Sequence, residues 1–251
     1  MIPKTIQVGP LTFYLYGAIF AFAIFAGWLV AKSRSHAYKI PKEIFDDPIL
    51  LVPLVLGIAG ARLYHVLDYW NIYKADLPSI FNLSGGGLGI LGGLGGAFVG
   101  LWIVAKVKRI NMLSLLDLSG PSLLLGQAIG RFGNFVNQEA FGPPTNLPWG
   151  IYISPENRPV QFLSQTHFHP TFFYEAAIDA IFFIVLLSLS KKFKNPGQAF
   201  ALYLILYSTG RFAVEFFRMD TAMVGGIKVA QVLSLAALLA GIYIFKGLDT
   251  R

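Results

Sequence analysis

Three stretches of this 251-residue chain carry no charged side chain: 11–31, 83–105 and 229–245. No other feature of the sequence limits the fold so strongly. A helix needs about 20 predominantly apolar residues, within a range of roughly 17–25, to cross the hydrocarbon core of a bilayer. The chain is 55% hydrophobic and 13% charged, whereas soluble domains carry roughly 25% charged residues. The sequence therefore predicts an all-α integral membrane protein. The first run is too long for a cleavable signal peptide, and its basic residues follow it. About seven spans are expected, near 11–31, 48–68, 84–105, 112–130, 171–190, 197–217 and 228–245. No internal repeat is visible, so residues 1–251 read as a single polytopic domain.

The formal net charge of +7 does not mark a nucleic-acid-binding protein, because the basic residues form no stripe on a soluble face. They gather between the apolar runs: Lys32, Arg34, Lys39 and Lys42 after the first, Lys106, Lys108 and Arg109 after the third, Lys191, Lys192 and Lys194 after the fifth, Lys246 and Arg251 after the seventh. These are more than half of the 20 basic residues, and alternate loops carry them. By the positive-inside rule the N-terminus faces outward and the C-terminus lies in the cytoplasm. Residues 140–170 then lie outside. Of the chain's 14 prolines this segment holds Pro143, Pro144, Pro148, Pro155, Pro159 and Pro170, which makes it an irregular or short-stranded arm. The chain has no cysteine. A disulfide framework, a thiolate metal site and a cysteine nucleophile are all excluded.

Several ionisable groups fall where they are expensive: Arg62, Asp117, Glu175, Asp179, Arg211 and Glu215. At the centre of a span each costs roughly 2.5–3.5 kcal/mol on insertion scales, so it persists only when paired or facing a cavity. For any one of them a structural ion pair is an equal alternative; for the set, a functional cavity is the better reading. In "LYSTGRFAVEFFR", Tyr207, Arg211, Glu215 and Arg218 recur at helical spacing and form one stripe. Glu215 neutralises one arginine and leaves another, whose bidentate fork suits a phosphate or carboxylate.

A second concentration of polar groups is "GRFGNFVNQEAFG", residues 130–142. If this stretch is helical, Arg131, Asn134 and Gln138 share a face. A capped helix end explains one asparagine but not the group. The glycine run 85–96 invites a phosphate-loop reading. Helix packing through the small-residue pairs Gly89/Gly93 and Gly92/Gly96 is the stronger one, with a close approach to a ligand left open at Gly85–Gly87. His169 stands at a loop–helix junction, where a cap or structural donor is more common than a base. His36, His65 and His167 show no metal-ligand spacing with carboxylates. Tyr14 and Tyr16 fit either an aromatic belt or a site.

These motifs resemble prolipoprotein diacylglyceryl transferase, a family whose signature is roughly G-R-x-G-N-F-x-N-x-E-x-x-G. Gly130, Arg131, Gly133, Asn134, Phe135, Asn137, Glu139 and Gly142 fill its fixed positions. "GARLYHVL" carries Arg62, "HPTFFYE" carries His169 and Glu175, "GRFAVEFFR" carries Arg211, Glu215 and Arg218, and "FYLYG" places the family's functional tyrosine at Tyr16. The resemblance implies transfer of the diacylglyceryl group of phosphatidylglycerol to the lipobox cysteine of a prolipoprotein signal peptide, in the bacterial inner membrane, without cofactor or metal. It assigns Tyr16, Arg131, Asn134, Glu139 and Arg211 to catalysis. It assigns Arg62, Asn137, Gly142, His169, Glu175, Glu215 and Arg218, with Arg131 again, to substrate binding. The partners are membrane lipids and the prolipoprotein, not nucleic acid. One position departs: the family commonly has a histidine in the glycine-rich segment where this chain has Leu91. A leucine neither takes a proton nor binds phosphate, so that role passes to another group or is dispensable. A lipid transporter or flippase is the alternative activity, since intramembrane charges also mark transport paths, but no inverted repeat or paired broken helices support it. A receptor-like binding module is a third reading.

Overall fold

The computed structural model describes residues 3–9, 11–82, 86–219 and 221–249. Long helices form at all seven expected positions: α1 (Leu15–Arg34), α2 (Leu51–Asp68), α3 (Ile90–Lys108), α4 (Met112–Asn137), α5 (Thr171–Leu189), α6 (Gln198–Glu215) and α7 (Val229–Asp249). Six of them are long and apolar enough to cross a membrane; α6 is not. Its shortfall has a direct cause: Gln198, Ser208, Thr209, Arg211 and Glu215 dilute its apolar character.

Two boundaries differ from the sequence expectation. Residues Leu11–Tyr14 do not open α1. They form strand β2, paired antiparallel with β1 (Thr5–Val8) in the register Thr5↔Tyr14 and Ile6↔Phe13. At the other end, α4 does not stop near residue 130 but carries the signature as helix through Asn137. Arg131 and Asn134 are therefore one helical turn apart, whereas Gln138 lies beyond the helix in a left-handed conformation (φ 56°). Its expected place on the face of Arg131 and Asn134 is lost for that reason.

The chain forms two compact units, Ser35–Leu115 and Met1–Arg34 with Leu116–Arg251. In the first, α2 packs against α3 through glycine. A Cβ added at Gly92 would lie 2.1 Å from the Gly60 carbonyl oxygen, one at Gly96 2.0 Å from that of Leu56, and one at Gly100 2.4 Å from Pro53 Cα. The repeat of four residues lets the two backbones touch along one stripe. Gly93 makes only ordinary contact, and Gly89 lies under the Tyr64 ring. Gly86 and Gly87 adopt positive φ, and their carbonyls accept hydrogen bonds from Arg62; Gly85 and Leu83 lie outside the described residues.

In the second unit α4 is the most buried apolar helix. Gly27 of α1 approaches it closely, since a Cβ there would stand 3.2 Å from the Ser122 carbonyl oxygen. Asp117 on α4 accepts from the backbone N–H groups of Gly197 (2.6 Å) and Phe200 (2.8 Å). This expected intramembrane carboxylate is thus a cap for α6, where the free N–H groups and the helix dipole favour negative charge. The 140–170 arm is short-stranded, as expected. β3 (Ile151–Tyr152) pairs with β4 (His167–Phe168), and Phe141, Ile153, Phe168 and Phe172 bury its inner face.

Candidate active site

Three helices of the second unit bring their charged residues to one end of the bundle. Glu175, in the second turn of α5, is the centre. Its Oε1 accepts from Arg131 of α4 at 2.5 Å and from Arg211 of α6 at 3.0 Å. Its Oε2 is ion-paired with Arg218 at 3.6 Å. Arg211 is also paired with Glu215, one helical turn on, at 2.6 Å. Both carboxylates are buried, Glu215 completely. Within this cluster three guanidiniums face two carboxylates in a low-dielectric setting, with the buried Asp179 one turn farther along α5. Truncating one member of such a set leaves its partners buried and unpaired, at a cost of about 3–5 kcal/mol.

Glu215 is held by two further contacts. Thr221 donates to its Oε1, and Lys228 donates to the backbone oxygens of Glu215 and Arg218. Lys228 and Thr221 were not among the expected site residues. Neither carries a motif signal: Thr221 lies in the connection after α6, and Lys228 reaches the cluster by chain reversal through β5 (Met223–Val224) and β6 (Ile227–Lys228).

The signature wraps this centre. Arg131 Nη1 also reaches Asn134 Oδ1 at 3.5 Å. Asn134 Nδ2 donates to Glu139 Oε1 at 2.9 Å, and Asn137 Nδ2 to the same oxygen at 3.5 Å. Glu139 therefore accepts from two amides, and no arginine is ion-paired with it among the described residues. Gln138 and Ala140, on either side of it, both have φ 56°. Non-glycine residues there store about 1–3 kcal/mol each and need outside support. Gln138 Oε1 receives Ser154 N at 2.7 Å and Asn157 Nδ2 at 3.2 Å, and Thr171 Oγ1 donates to the Ala140 carbonyl at 2.6 Å. The turn that presents Glu139 is thus fixed from both the arm and α5.

Two glycines of the signature are required by close approach. The Tyr16 ring lies against Gly133, where a Cβ would stand 2.7 Å from two ring carbons. Gly142 meets the Phe217 carbonyl oxygen, with a Cβ at 2.7 Å, and donates its N–H to the His169 carbonyl at 2.8 Å. His169 Nδ1 is 3.0 Å from the Tyr174 hydroxyl, which accepts from Trp149 Nε1 at 2.9 Å. This chain of contacts ties the arm to α5 and gives His169 a positioning geometry. Tyr174 lies in the HPTFFYE motif, but Trp149 escaped the sequence reading, since an isolated tryptophan in a proline-rich loop carries no spacing signal.

Of the residues expected at the site, Tyr16, Arg131, Asn134, Asn137, Glu139, Gly142, His169, Glu175, Arg211, Glu215 and Arg218 all fall in this unit. Arg62 falls in the other. Its guanidinium donates to the carbonyls of Ser79, Ile80, Asn82, Gly86 and Gly87 at 2.7–3.0 Å, and its face lies over the Tyr73 ring. Asp179, one turn farther along α5 from Glu175, is buried, and its Oδ2 has no hydrogen-bond partner among the described residues.

A model of the prolipoprotein diacylglyceryl transferase family matches residues 3–246. The chain belongs to this family. The phosphatidylglycerol–prolipoprotein diacylglyceryl transferase of Thermosynechococcus vestitus is 40% identical over 240 residues, covering 94% of this chain and 89% of that one. The transferase of the same name from Gloeobacter violaceus is 38% identical over 244 residues, covering 95% and 90%. That of Fervidobacterium nodosum is 40% identical over 237 residues, covering 94% and 81%. The family match runs from the residues before α1 into α7 and includes the helix α6 that hydropathy alone leaves out.

Proposed function

We propose that this protein is a transferase that moves the diacylglyceryl group of phosphatidylglycerol to the lipobox cysteine of a prolipoprotein. The observation that carries the reading is the convergence of Arg131, Arg211 and Arg218 on Glu175, in a chain whose relatives bear that activity in their names. The thiolate sulfur attacks the glyceryl carbon that bears the phosphate. A carbon–sulfur bond forms, the carbon–oxygen bond breaks, and glycerol phosphate leaves with the electron pair. The leaving phosphate gains negative charge as that bond breaks. Forked donors placed where charge develops lower the barrier most, and arginine supplies them in pairs. Glu175 keeps two forks, from α4 and α6, at one point until a phosphate oxygen takes over part of its role. Asn134, Asn137 and Glu139 hold the loop beside Arg131, and Tyr16 closes on Gly133.

The thiol comes from the substrate, which accounts for an enzyme without cysteine. Its pKa of about 8.5 leaves a few per cent as thiolate at neutral pH, and nearby guanidiniums increase that share. The proton leaves with help from Tyr16 or a carboxylate. We place residues 1–251 in the bacterial inner membrane as one polytopic domain, N-terminus outside and C-terminus in the cytoplasm, with 140–170 as its outer-side arm. The charge distribution between the apolar helices supports that orientation. The test is purified protein in phosphatidylglycerol nanodiscs with a lipobox peptide, read by mass spectrometry. A diacylglyceryl thioether is expected on the cysteine peptide and not on its serine counterpart. Absence of the product with both lipid and peptide bound would overturn the assignment.

A further inference from the structure

Beside the arginine cluster lies a second feature that phosphate chemistry does not use. A cavity of about 850 Å³ opens between the end of the signature, the arm and the foot of the β1–β2 hairpin. That volume is near the top of the roughly 300–1,000 Å³ range of small-ligand clefts. Its lining is more polar than apolar: Asn137, Glu139, Asn157 and Gln161, with the charged Lys4, Glu156 and Arg158, stand beside the apolar Phe141 and Met219.

The walls are fixed. Arg158 donates to the carbonyls of Ile153 (2.8 Å) and Leu163 (2.9 Å), and Gln138 ties the arm to the signature through Ser154 and Asn157. Behind them Ile153 and Ser154 are buried. The lining groups are left with capacity. Lys4, Glu156 and Gln161 form no side-chain hydrogen bond among the described residues, and Asn137 and Asn157 each use the amide nitrogen alone.

This lining decides between occupants. Acyl chains gain nothing from side-chain amides and charges. For a phosphoglycerol head group the lining offers no net attraction, since Glu139 and Glu156 offset Lys4 and Arg158. A polypeptide backbone, with one donor and one acceptor per residue, matches amides that both donate and accept. The cavity is also joined to the reaction centre, because Glu139 lines it and is linked through Asn134 to Arg131. We propose that it receives the stretch of acceptor polypeptide that follows the modified cysteine, bound as an extended segment through its main chain. This rests on the transferase reading and on the outward orientation, in which the signal sequence stays in the membrane and the mature chain leaves past the arm.

The test compares two lipobox peptides in phosphatidylglycerol nanodiscs, one ending just after the cysteine and one continuing for several residues. With the native protein the longer peptide has a KM lower by about tenfold, equivalent to roughly 1.4 kcal/mol. The combined variant Lys4→Ala, Glu156→Ala and Gln161→Ala, none of which touches the arginine cluster, raises the long peptide's KM to that of the short one. It leaves kcat and the short peptide's KM unchanged. Equal KM values for the two peptides with native protein, or an equal rise for both in the variant, would overturn the proposal while leaving the transferase reading intact. A rise confined to the KM for phosphatidylglycerol would assign the cavity to the lipid head group and overturn it as well. No thioether on either peptide would sink the transferase reading, and this one with it.

Discussion

Two arginine sites in this molecule, one buried and one part-buried, satisfy the guanidinium in opposite ways. Arg62 gives five hydrogen bonds to backbone carbonyls of 79–87. Those acceptors are main-chain groups, so they cannot leave without local unfolding. Arg131 and Arg211 are held by side-chain carboxylates, above all Glu175. A carboxylate and a phosphate are interchangeable partners for the fork, because both offer paired anionic oxygens. The first arrangement is a lock and the second is an exchangeable contact. Withdrawal of a charge from solvent therefore does not by itself fix its role; the nature of the partner separates structure from chemistry.

The comparison is broken most directly at the exchangeable site. Arg131→Lys and Arg211→Lys keep the charge and lose the fork. Each is expected to lower turnover about 10²–10³-fold, the cost of removing one well-placed transition-state donor, while the protein stays inserted and folded. Near-native turnover in both lysine variants, at wild-type levels of folded protein, would show that the forks do not act on the phosphate.

At the lock the expected loss is of stability. Arg62→Lys has three donors for five carbonyls, and each buried group left unsatisfied costs about 1–3 kcal/mol. We expect a lower thermal midpoint and faster proteolysis of the 79–87 loop, with the activity of the surviving folded protein reduced less than in the Arg131 or Arg211 variants. Unchanged stability with abolished lipid binding would reverse the assignment and place Arg62 on the substrate, as its motif implies.

A subtler break concerns Glu139, which accepts from two asparagines. Glu139→Gln is nearly isosteric, but it removes the charge that both amides address. If the group holds the loop, activity falls by about tenfold, the price of roughly one charged hydrogen bond, and the thermal midpoint drops with it. A stable variant whose activity returns as pH rises would instead identify Glu139 as the base that takes the thiol proton.

How much of this was legible in the sequence depends on the range of the interaction. Six helices could be read from apolar runs, and the seventh, α6, from its Tyr207–Arg211–Glu215–Arg218 stripe, because helical spacing is a local property. The start of α1 was misplaced because Leu11–Tyr14 is as apolar as helix, and only its pairing with Thr5–Val8 shows it to be a strand. The far end of α4 was misplaced because the asparagines that look like a cap are inside the helix. The convergence on Glu175 could not be read at all. It requires α4, α5 and α6 to pack in one rotational register, and no residue spacing within a single helix encodes that. Arg62 shows the reverse failure: a motif residue expected at the substrate has all its donors on backbone, since neither charge nor spacing reveals which acceptors a loop will present.

The smallest expected effect tests whether a histidine base is needed. Leu91 is half exposed on α3, at the position where the family commonly has histidine. If the main catalytic contribution is the positive field at the cysteine and the departing phosphate, the thiol already ionises enough to react. Leu91→His should then change turnover by less than about twofold, a difference below roughly 0.4 kcal/mol. Tyr16→Phe, which removes the hydroxyl and keeps the ring packed on Gly133, should reduce it more. The native pH–rate profile discriminates further. It should rise with the ionisation of a thiol lowered from about 8.5 by the arginines, not with a histidine near 6.5. A gain of several orders of magnitude in Leu91→His would show that the chain lacks a base it needs, and the electrostatic account of the arginine cluster would be insufficient.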